Sequence, residues 1–222
     1  MKKYLLFDND GVLVETEMWY YEANVRALFE LGFELPFEKY MQMMAHGTTV
    51  WEEPLKSGIS EEIIQKAREK RNKYYQEFLR TKDLAIDGVE ELLERLSKDY
   101  SMAIVTTSRR VDFELIHSKT NITKYMDFIL CEEDYTHAKP HPEPYLKAVE
   151  IFGCDKSEAL IIEDSQRGLS AAVSAGIECV TVKNDFTSTH DFSKSTYKID
   201  LLKELDGLLK QMNVLNIKSE IS

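Results

Sequence analysis

Asp8 and Asp10 stand with one residue between them after the apolar run YLLF, and Gly11 follows at once. Two carboxylates this close repel each other and resist leaving water unless a cation or a reacting group compensates their charge. One carboxylate can attack phosphorus as a nucleophile, and the other can protonate a leaving oxygen and then activate water. The pair therefore predicts a reaction centre.

Side chains suited to a phosphoryl group recur later in the chain. They are Thr106, Thr107 and Ser108 after MAIV, Lys139 in THAKPHP, and Glu163 and Asp164 after ALII. Thr106 can donate a hydrogen bond to a phosphoryl oxygen, and Lys139 supplies a positive charge for it. The carboxylates and the phosphate together call for a hard cation, which favours Mg²⁺ held by Asp8, a backbone carbonyl and the pair Glu163-Asp164.

The elements that must position these groups are strands that alternate with helices. Strands are predicted at residues 4–8, 101–106, 127–131, 159–163, 178–182 and 196–199. The alternation indicates an α/β fold, a doubly wound parallel sheet with helices on both faces. Because parallel strands end at the same edge of a sheet, we expect the polar groups to meet there.

The pattern changes in residues 15–82, where helical segments such as 19–31 and 60–79 occur without a convincing strand. An insertion directly after the first strand would lie over the carboxyl ends of the strands. The sequence therefore predicts a helical cap domain over residues 15–82 and a catalytic core formed by residues 1–14 and 83–222.

Length and charge restrict the class of protein. The 222 residues suffice for one sizeable domain or a domain with a large insertion. A net charge of −11 argues against nucleic acid as a partner, since the chain has no basic stripe to neutralise phosphates. No apolar run reaches the roughly 18 residues of a membrane span. The three cysteines form no CxxC pair, which favours reduced thiols in a cytoplasmic protein. We expect a monomer or weak homodimer whose partner is a small phosphorylated metabolite.

Four segments, FDNDGVLVETE, AIVTTS, Lys139-Pro140 and IIEDSQRGLSAA, resemble in order the four motifs of the haloacid dehalogenase superfamily. The helical insertion resembles the helical cap of that family, and the most similar subgroup contains phosphoglycolate phosphatase and β-phosphoglucomutase. The resemblance implies that Asp8 is the nucleophile and that Asp10 is the general acid/base and lends its carbonyl to Mg²⁺. It further implies that Thr106 and Lys139 hold the phosphate and that Asp164, with help from Glu163, completes the metal site.

Five neighbouring residues are candidates for contact with the substrate. Asn9, Gly11, Thr107 and Ser108 adjoin the motif residues and are candidates for binding phosphate. His46 lies in a predicted cap turn and is a candidate for contact with the leaving group, although a surface turn explains it equally well.

Asp10 and Tyr20 separate the reactions found in such proteins. Family members that remove halide lack the second aspartate, so Asp10 indicates phosphate chemistry. A β-phosphoglucomutase carries a histidine where this chain has Tyr20, which favours a Mg²⁺-dependent phosphatase that works through an aspartyl-phosphate over a phosphosugar mutase. A receiver-like signalling domain that only accepts phosphate is the third alternative, but such domains are about half as long and have no helical insertion.

His137 and His141 are four residues apart, a spacing that on a helix would suit zinc. Pro140 and Pro142 forbid a regular helix at this point. The sequence therefore argues against a zinc site here.

Overall fold

A six-stranded parallel sheet forms the centre of the computed structural model, which describes residues 1–46 and 48–220, except for the side chains of residues 45–46 and 214–220. The strands are β1 (Tyr4–Phe7), β2 (Ser101–Val105), β3 (Phe128–Leu130), β4 (Ala159–Glu163), β5 (Cys179–Val182) and β6 (Tyr197–Ile199). Their order in the sheet is β3-β2-β1-β4-β5-β6. Each predicted strand is present, and the doubly wound parallel fold is confirmed.

Helices connect successive strands and cover the sheet. Between β1 and β2 lie α1 (Glu17–Phe29), α2 (Phe37–His46), α3 (Glu52–Lys56), α4 (Glu61–Thr81) and α5 (Val89–Leu96). After β2 come α6 (Arg110–His117), α7 (Glu143–Phe152), α8 (Gln166–Ala175) and α9 (Leu205–Glu220). None of the described helices is long and apolar enough to cross a membrane.

The apolar residues of β1 alternate between the two faces of the sheet. Leu5 and Phe7 pack in one cluster with side chains of α5, α6 and α9, whereas Leu6 packs in a second cluster with α7 and α8. All three side chains are fully buried. A sheet covered by helices on both faces needs strands that are apolar at successive positions, which explains the continuous run YLLF.

Helices α1–α4 form an insertion with an apolar core of its own. Its buried residues are Ala27, Leu28, Leu35, Tyr40, Trp51, Ile64 and Ala67. The chain enters and leaves this insertion side by side, because Val14 forms an antiparallel bridge with Ala85 and the Glu15 N–H donates to the Leu84 carbonyl at 2.9 Å. The helical insertion is confirmed, while the domain boundaries at residues 15 and 82 stay predictions.

The sequence analysis did not predict α2 and α3 as separate helices. The sequence of α3 contains Pro54, a residue that usually ends a helix. In the structure Pro54 lies in the first turn of α3, where a proline is tolerated because no backbone N–H is needed there.

Replacing Ile104 of β2 by alanine will test how much the sheet depends on its buried layer. Ile104 has no exposed surface, so the Ile104→Ala change removes apolar contacts and leaves a cavity, and the free energy of unfolding should fall by about 2–5 kcal/mol. Ile151→Ala is the matched control, because Ile151 of α7 is 50% exposed. Urea unfolding of both variants checks the difference, and equal losses would contradict it.

Candidate active site

The carboxyl edge of the sheet brings the predicted residues of four segments together. Asp8 follows β1, Thr106 follows β2, and Glu163 is the last residue of β4. Backbone pairing continues past the strand ends, since the Asp8 N–H donates to Ile162 and the Thr106 N–H donates to Leu130, each at 2.9 Å. The polar side chains therefore start from backbone that is hydrogen-bonded to the neighbouring strands.

The Lys139 ammonium group lies at the centre of this edge, and its side chain is only 2% exposed. Its Nζ donates to Asp8 Oδ1 at 3.0 Å, to Glu163 Oε1 at 2.7 Å and to the Val105 carbonyl at 2.8 Å. Burial alone would lower the pKa of Lys139, but the charges of Asp8 and Glu163 and their hydrogen bonds outweigh it and raise that pKa. Lys139 therefore remains a cation in contact with Asp8.

Glu163 has no exposed surface, and protein donors reach both of its carboxylate oxygens. Oε1 accepts from Lys139 and from the Tyr145 hydroxyl at 2.6 Å, while Oε2 accepts from the Ser165 hydroxyl at 3.1 Å and the Asp164 N–H at 3.2 Å. Although burial alone would raise it, the charge of Lys139 and these hydrogen bonds lower the pKa of Glu163. Glu163 is therefore an anion whose contacts fix the position of Lys139.

Asp8 and Asp164 lack comparable compensation for their charge. Burial raises the pKa of Asp8 to about 7, with a further upward contribution from Glu163, although Lys139 acts in the opposite direction. Burial and the charges of Glu163 and Asp8 raise the pKa of Asp164 well above its ordinary value. Asp8, Glu163 and Asp164 each place one carboxylate oxygen within 4.8 Å of the other two. An all-oxygen set with surplus negative charge fits a hard divalent cation such as Mg²⁺.

Asp10 lies beside this cluster and is surrounded by hydroxyl groups. Its side chain accepts from the Thr16 hydroxyl, from Ser108 Oγ at 2.7 Å and from Thr106 Oγ1 at 3.3 Å. The Ser108 N–H in turn donates to Thr106 Oγ1 at 3.0 Å. Two of the three hydroxyls predicted to bind phosphate, those of Thr106 and Ser108, therefore hold the Asp10 carboxylate.

The structure also shows the hydrogen-bond partners of Asn9, Gly11 and Thr107, which are predicted to contact the substrate. The Asn9 side chain is buried, with its Oδ1 2.7 Å from His117 Nε2 and its Nδ2 donating to Asp10 Oδ2 at 3.3 Å. The Gly11 N–H donates to the Val14 carbonyl at 2.8 Å inside the turn, and Thr107 Oγ1 accepts from Arg167 at 3.3 Å. The side chain of His46 lies outside the described residues.

Two glycines make room for the acidic side chains. A Cβ atom on Gly11 would lie 2.1 Å from Asp164 Oδ2, and the backbone of Gly11 has a φ of +77° that favours glycine. A Cβ atom on Gly168 would lie 1.8 Å from Glu163 Oε1. Glycine at both positions therefore allows the carboxylates to approach the backbone.

Sequence reasoning missed several residues that shape the site. Tyr145 lies on the buried face of α7, where an aromatic residue gives no signal of a role beyond packing. Thr16 and Glu17 are the last two residues of the first motif, FDNDGVLVETE. Glu17 is half-buried, and burial together with the charge of Asp10 raises its pKa to about 7. The sequence offered one usable signal of the close packing around Glu163, which is the glycine of EDSQRG, Gly168, two residues after Gln166.

The helical insertion lies over the same edge. Gln76 of α4 donates to Asp112 of α6 at 2.9 Å. The rings of Phe37 in α2 and Phe186, which follows β5, are in edge-to-face contact with centroids 5.5 Å apart. A ligand at the acidic cluster would therefore lie between the sheet and the insertion.

Comparison with known proteins identifies the family. The sequence model described as haloacid dehalogenase-like hydrolase matches residues 5–182. The chain belongs to this family. It is 31% identical to a protein of Bacillus subtilis named as the phosphatase YhcW, over 97% of this chain and all of that protein. It is 29% identical to the phosphorylated carbohydrates phosphatase of Thermotoga maritima, over 98% of each chain.

Solved structures of haloacid dehalogenase-like proteins share the fold. CbbY of Rhodobacter sphaeroides, solved with phosphate, has a TM-score of 0.78 at 22% identity and covers 92% of this chain and 96% of its own. The β-phosphoglucomutase of Clostridium difficile has a TM-score of 0.78 at 22% identity and covers 98% of this chain and all of its own. The family model over residues 5–182 confirms the expected superfamily, and these structures show the same fold.

Replacing Gly168 by alanine should displace the Glu163 carboxylate or the start of α8. The new Cβ overlaps Glu163, so either Glu163 or α8 must move, and the Gly168→Ala change should cost about 1–3 kcal/mol or more in unfolding free energy. Gly207→Ala is the matched control, because nothing lies within 4 Å of a Cβ there and alanine is the better helix former. Urea unfolding should show opposite signs for the two variants; a stabilised Gly168→Ala protein would contradict the packing described.

Replacing Asp8 by asparagine should change how stability depends on pH in the metal-free protein. The pKa of Asp8 is 3.8 when unperturbed and about 7 in the folded state, so the folded protein retains a proton between these values. The stability that this proton contributes is complete below pH 3.8, decreases as the pH rises and is fully lost above about 7. In EDTA, Asp8→Asn should therefore exceed the wild type at pH 8 by at least about 1 kcal/mol.

At pH 5 the Asp8→Asn protein and the wild type should differ less, because the folded protein still holds the Asp8 proton there and most of the loss of stability occurs between pH 5 and 7. Urea unfolding at both pH values measures the difference. Asp200→Asn is the control, since that side chain is 80% exposed. An Asp8→Asn protein that is less stable than the wild type at pH 8 would rule out this account of Asp8.

Proposed function

We propose that this hydrolase is a Mg²⁺-dependent phosphatase that cleaves small phosphomonoesters through an aspartyl-phosphate on Asp8. The observation that carries the proposal is the contact of Asp8 with the buried Lys139 ammonium group, next to Glu163 and Asp164. This arrangement offers a nucleophile and a fixed positive charge at one point of the edge. Both are what transfer of a phosphoryl group requires.

The residues proposed to hold Mg²⁺ are Asp8, Asp164 and the backbone carbonyl of Asp10, with Glu163 beside them. Their oxygen donors and the raised pKa values of Asp8 and Asp164 support this choice. When bound, the cation would neutralise the carboxylates and the phosphate and so let them approach each other.

The proposed reaction uses two carboxylates in turn. An oxygen of Asp8 attacks phosphorus, the bond between phosphorus and the ester oxygen breaks, and Asp10 gives its proton to the leaving oxygen. Asp10 then takes a proton from water, which attacks phosphorus, releases inorganic phosphate and restores Asp8. Lys139 stabilises the charge on the transferred group throughout, and Thr106 and Ser108 keep the Asp10 carboxylate in place.

The names of the relatives agree with this reaction class. The proteins of Bacillus subtilis and Thermotoga maritima are both named as phosphatases, and the latter name specifies phosphorylated carbohydrates. We therefore propose a phosphorylated small metabolite, such as a sugar phosphate, as substrate. The cytoplasmic location and the monomeric or weakly dimeric state stay predictions from the sequence.

Hydrolysis of p-nitrophenyl phosphate by the purified protein tests the proposed function. Steady release of phosphate should require Mg²⁺ and should fall by about 10⁴-fold or more in Asp8→Asn, because the nucleophile is lost. Asp200→Asn should retain the wild-type rate. An unchanged rate in Asp8→Asn would refute the mechanism.

The same preparation distinguishes the two alternatives. Conversion of β-glucose 1-phosphate to glucose 6-phosphate without net release of phosphate would indicate a phosphosugar mutase. Stable phosphorylation of Asp8 without turnover over minutes would indicate a receiver-like phospho-acceptor.

A further inference from the structure

The loop that carries Lys139 has a histidine two residues before and two residues after it. The prolines do keep this segment from forming a helix. It nevertheless turns back on itself, with the His141 N–H donating to the Ala138 carbonyl at 3.0 Å. The turn brings the His137 and His141 rings to within 4.6 Å, centroid to centroid. The two imidazoles thus meet without the helix that the sequence analysis required.

Glu143, the first residue of α7, adds a carboxylate to the two rings. Its Oε2 lies 2.6 Å from His137 Nδ1 and 3.9 Å from His141 Nδ1. The N–H groups of Thr136 and His137 also donate to this carboxylate, at 2.6 Å and 3.0 Å. The carboxylate is therefore held in a fixed orientation beside both imidazoles.

The three side chains together have the composition of a transition-metal site. One ligand atom from each of His137, His141 and Glu143 lies within 4.8 Å of the other two. In a tetrahedral zinc site the ligand atoms are about 3.3 Å apart, since zinc lies about 2.0–2.1 Å from each. The histidine side chains are 62% and 51% exposed, so movements of about an ångström meet little steric resistance.

We propose that His137, His141 and Glu143 form a second metal site, which binds a divalent transition metal of the zinc class. Two imidazole nitrogens and one carboxylate oxygen suit Zn²⁺, Ni²⁺ or Cu²⁺, whereas Mg²⁺ prefers oxygen ligands alone. On binding, the metal displaces the proton that His137 Nδ1 donates to Glu143 Oε2, this proton is released to solvent, and water fills the fourth position. This proposal does not depend on the proposed phosphatase activity.

Such an ion would connect the two ends of the Lys139 loop. Its ligands come from both sides of Lys139 and from the start of α7, so bound metal restrains the segment whose ammonium group touches Asp8 and Glu163. The site is distinct from the acidic cluster, which contains no histidine among its candidate ligands.

Calorimetric titration with Zn²⁺, in the presence of excess Mg²⁺, tests the proposal on the full chain. The wild type should show one binding event that His137→Asn and His141→Asn each weaken by about tenfold or more. His190→Asn, the matched control at a half-buried histidine elsewhere, and Asp164→Asn in the acidic cluster should both retain it. Loss of the event in Asp164→Asn, or wild-type affinity in both loop variants, would overturn the proposal.

Electron paramagnetic resonance of the Cu²⁺-loaded protein gives a second, independent measurement. The proposed site requires hyperfine coupling to two imidazole nitrogens in the wild type and to one in either His137→Asn or His141→Asn. Coupling to oxygen alone, or two nitrogens that persist in both variants, would overturn the assignment. Thermal unfolding of the metal-free variants at the wild-type temperature confirms that the substitutions leave the fold intact.

Discussion

The burial of the Lys139 ammonium group between Asp8 and Glu163 is the constraint on which the rest of the structure depends. A buried charge is tolerated only when it is paired and hydrogen-bonded. Glu163 is the partner that stays anionic, and removing such a partner typically costs about 3–5 kcal/mol. The partners of Lys139 come from the ends of β1, β2 and β4, with the Val105 carbonyl as the third acceptor. These strands are neighbours in the sheet, so sheet register and site geometry are set together.

The start of α8 stabilises the acidic half of this arrangement. The Ser165 hydroxyl donates to Glu163 Oε2 and accepts from the Gly168 N–H at 3.0 Å, so one side chain caps the helix and orients the carboxylate. Negative charge is also favoured at a helix N-terminus. Glu163 is thereby neutralised within the protein, and the excess negative charge remains on Asp8 and Asp164, where a cation would be useful.

Much of the fold, and the set of residues that meet at the candidate site, could be predicted from the sequence, because both depend on where the strands lie and end. Continuous apolar runs located the strands, and a parallel sheet places their carboxyl ends together. Side-chain direction could not be predicted in the same way. Asn9 lies between Asp8 and Asp10 in the sequence, and its buried side chain is held between Asp10 and His117. The contact of Gly168 with Glu163 and the meeting of His137 with His141 depend on the backbone path of a local turn, which the residue types alone do not specify.

The position of β1 at the middle of the sheet has a consequence for the order in which the protein is made. Tyr4 pairs with Ser101 on one side and with Ala159 on the other. The strand before Asp8 is therefore the first of the six to be synthesised, but both of its neighbours are present only when β4 has been made. Domains dominated by such long-range pairing fold more slowly than those with local contacts. The core of the helical insertion is built from residues close in sequence. The insertion can therefore pack on the ribosome before the strands that pair with β1 have been synthesised.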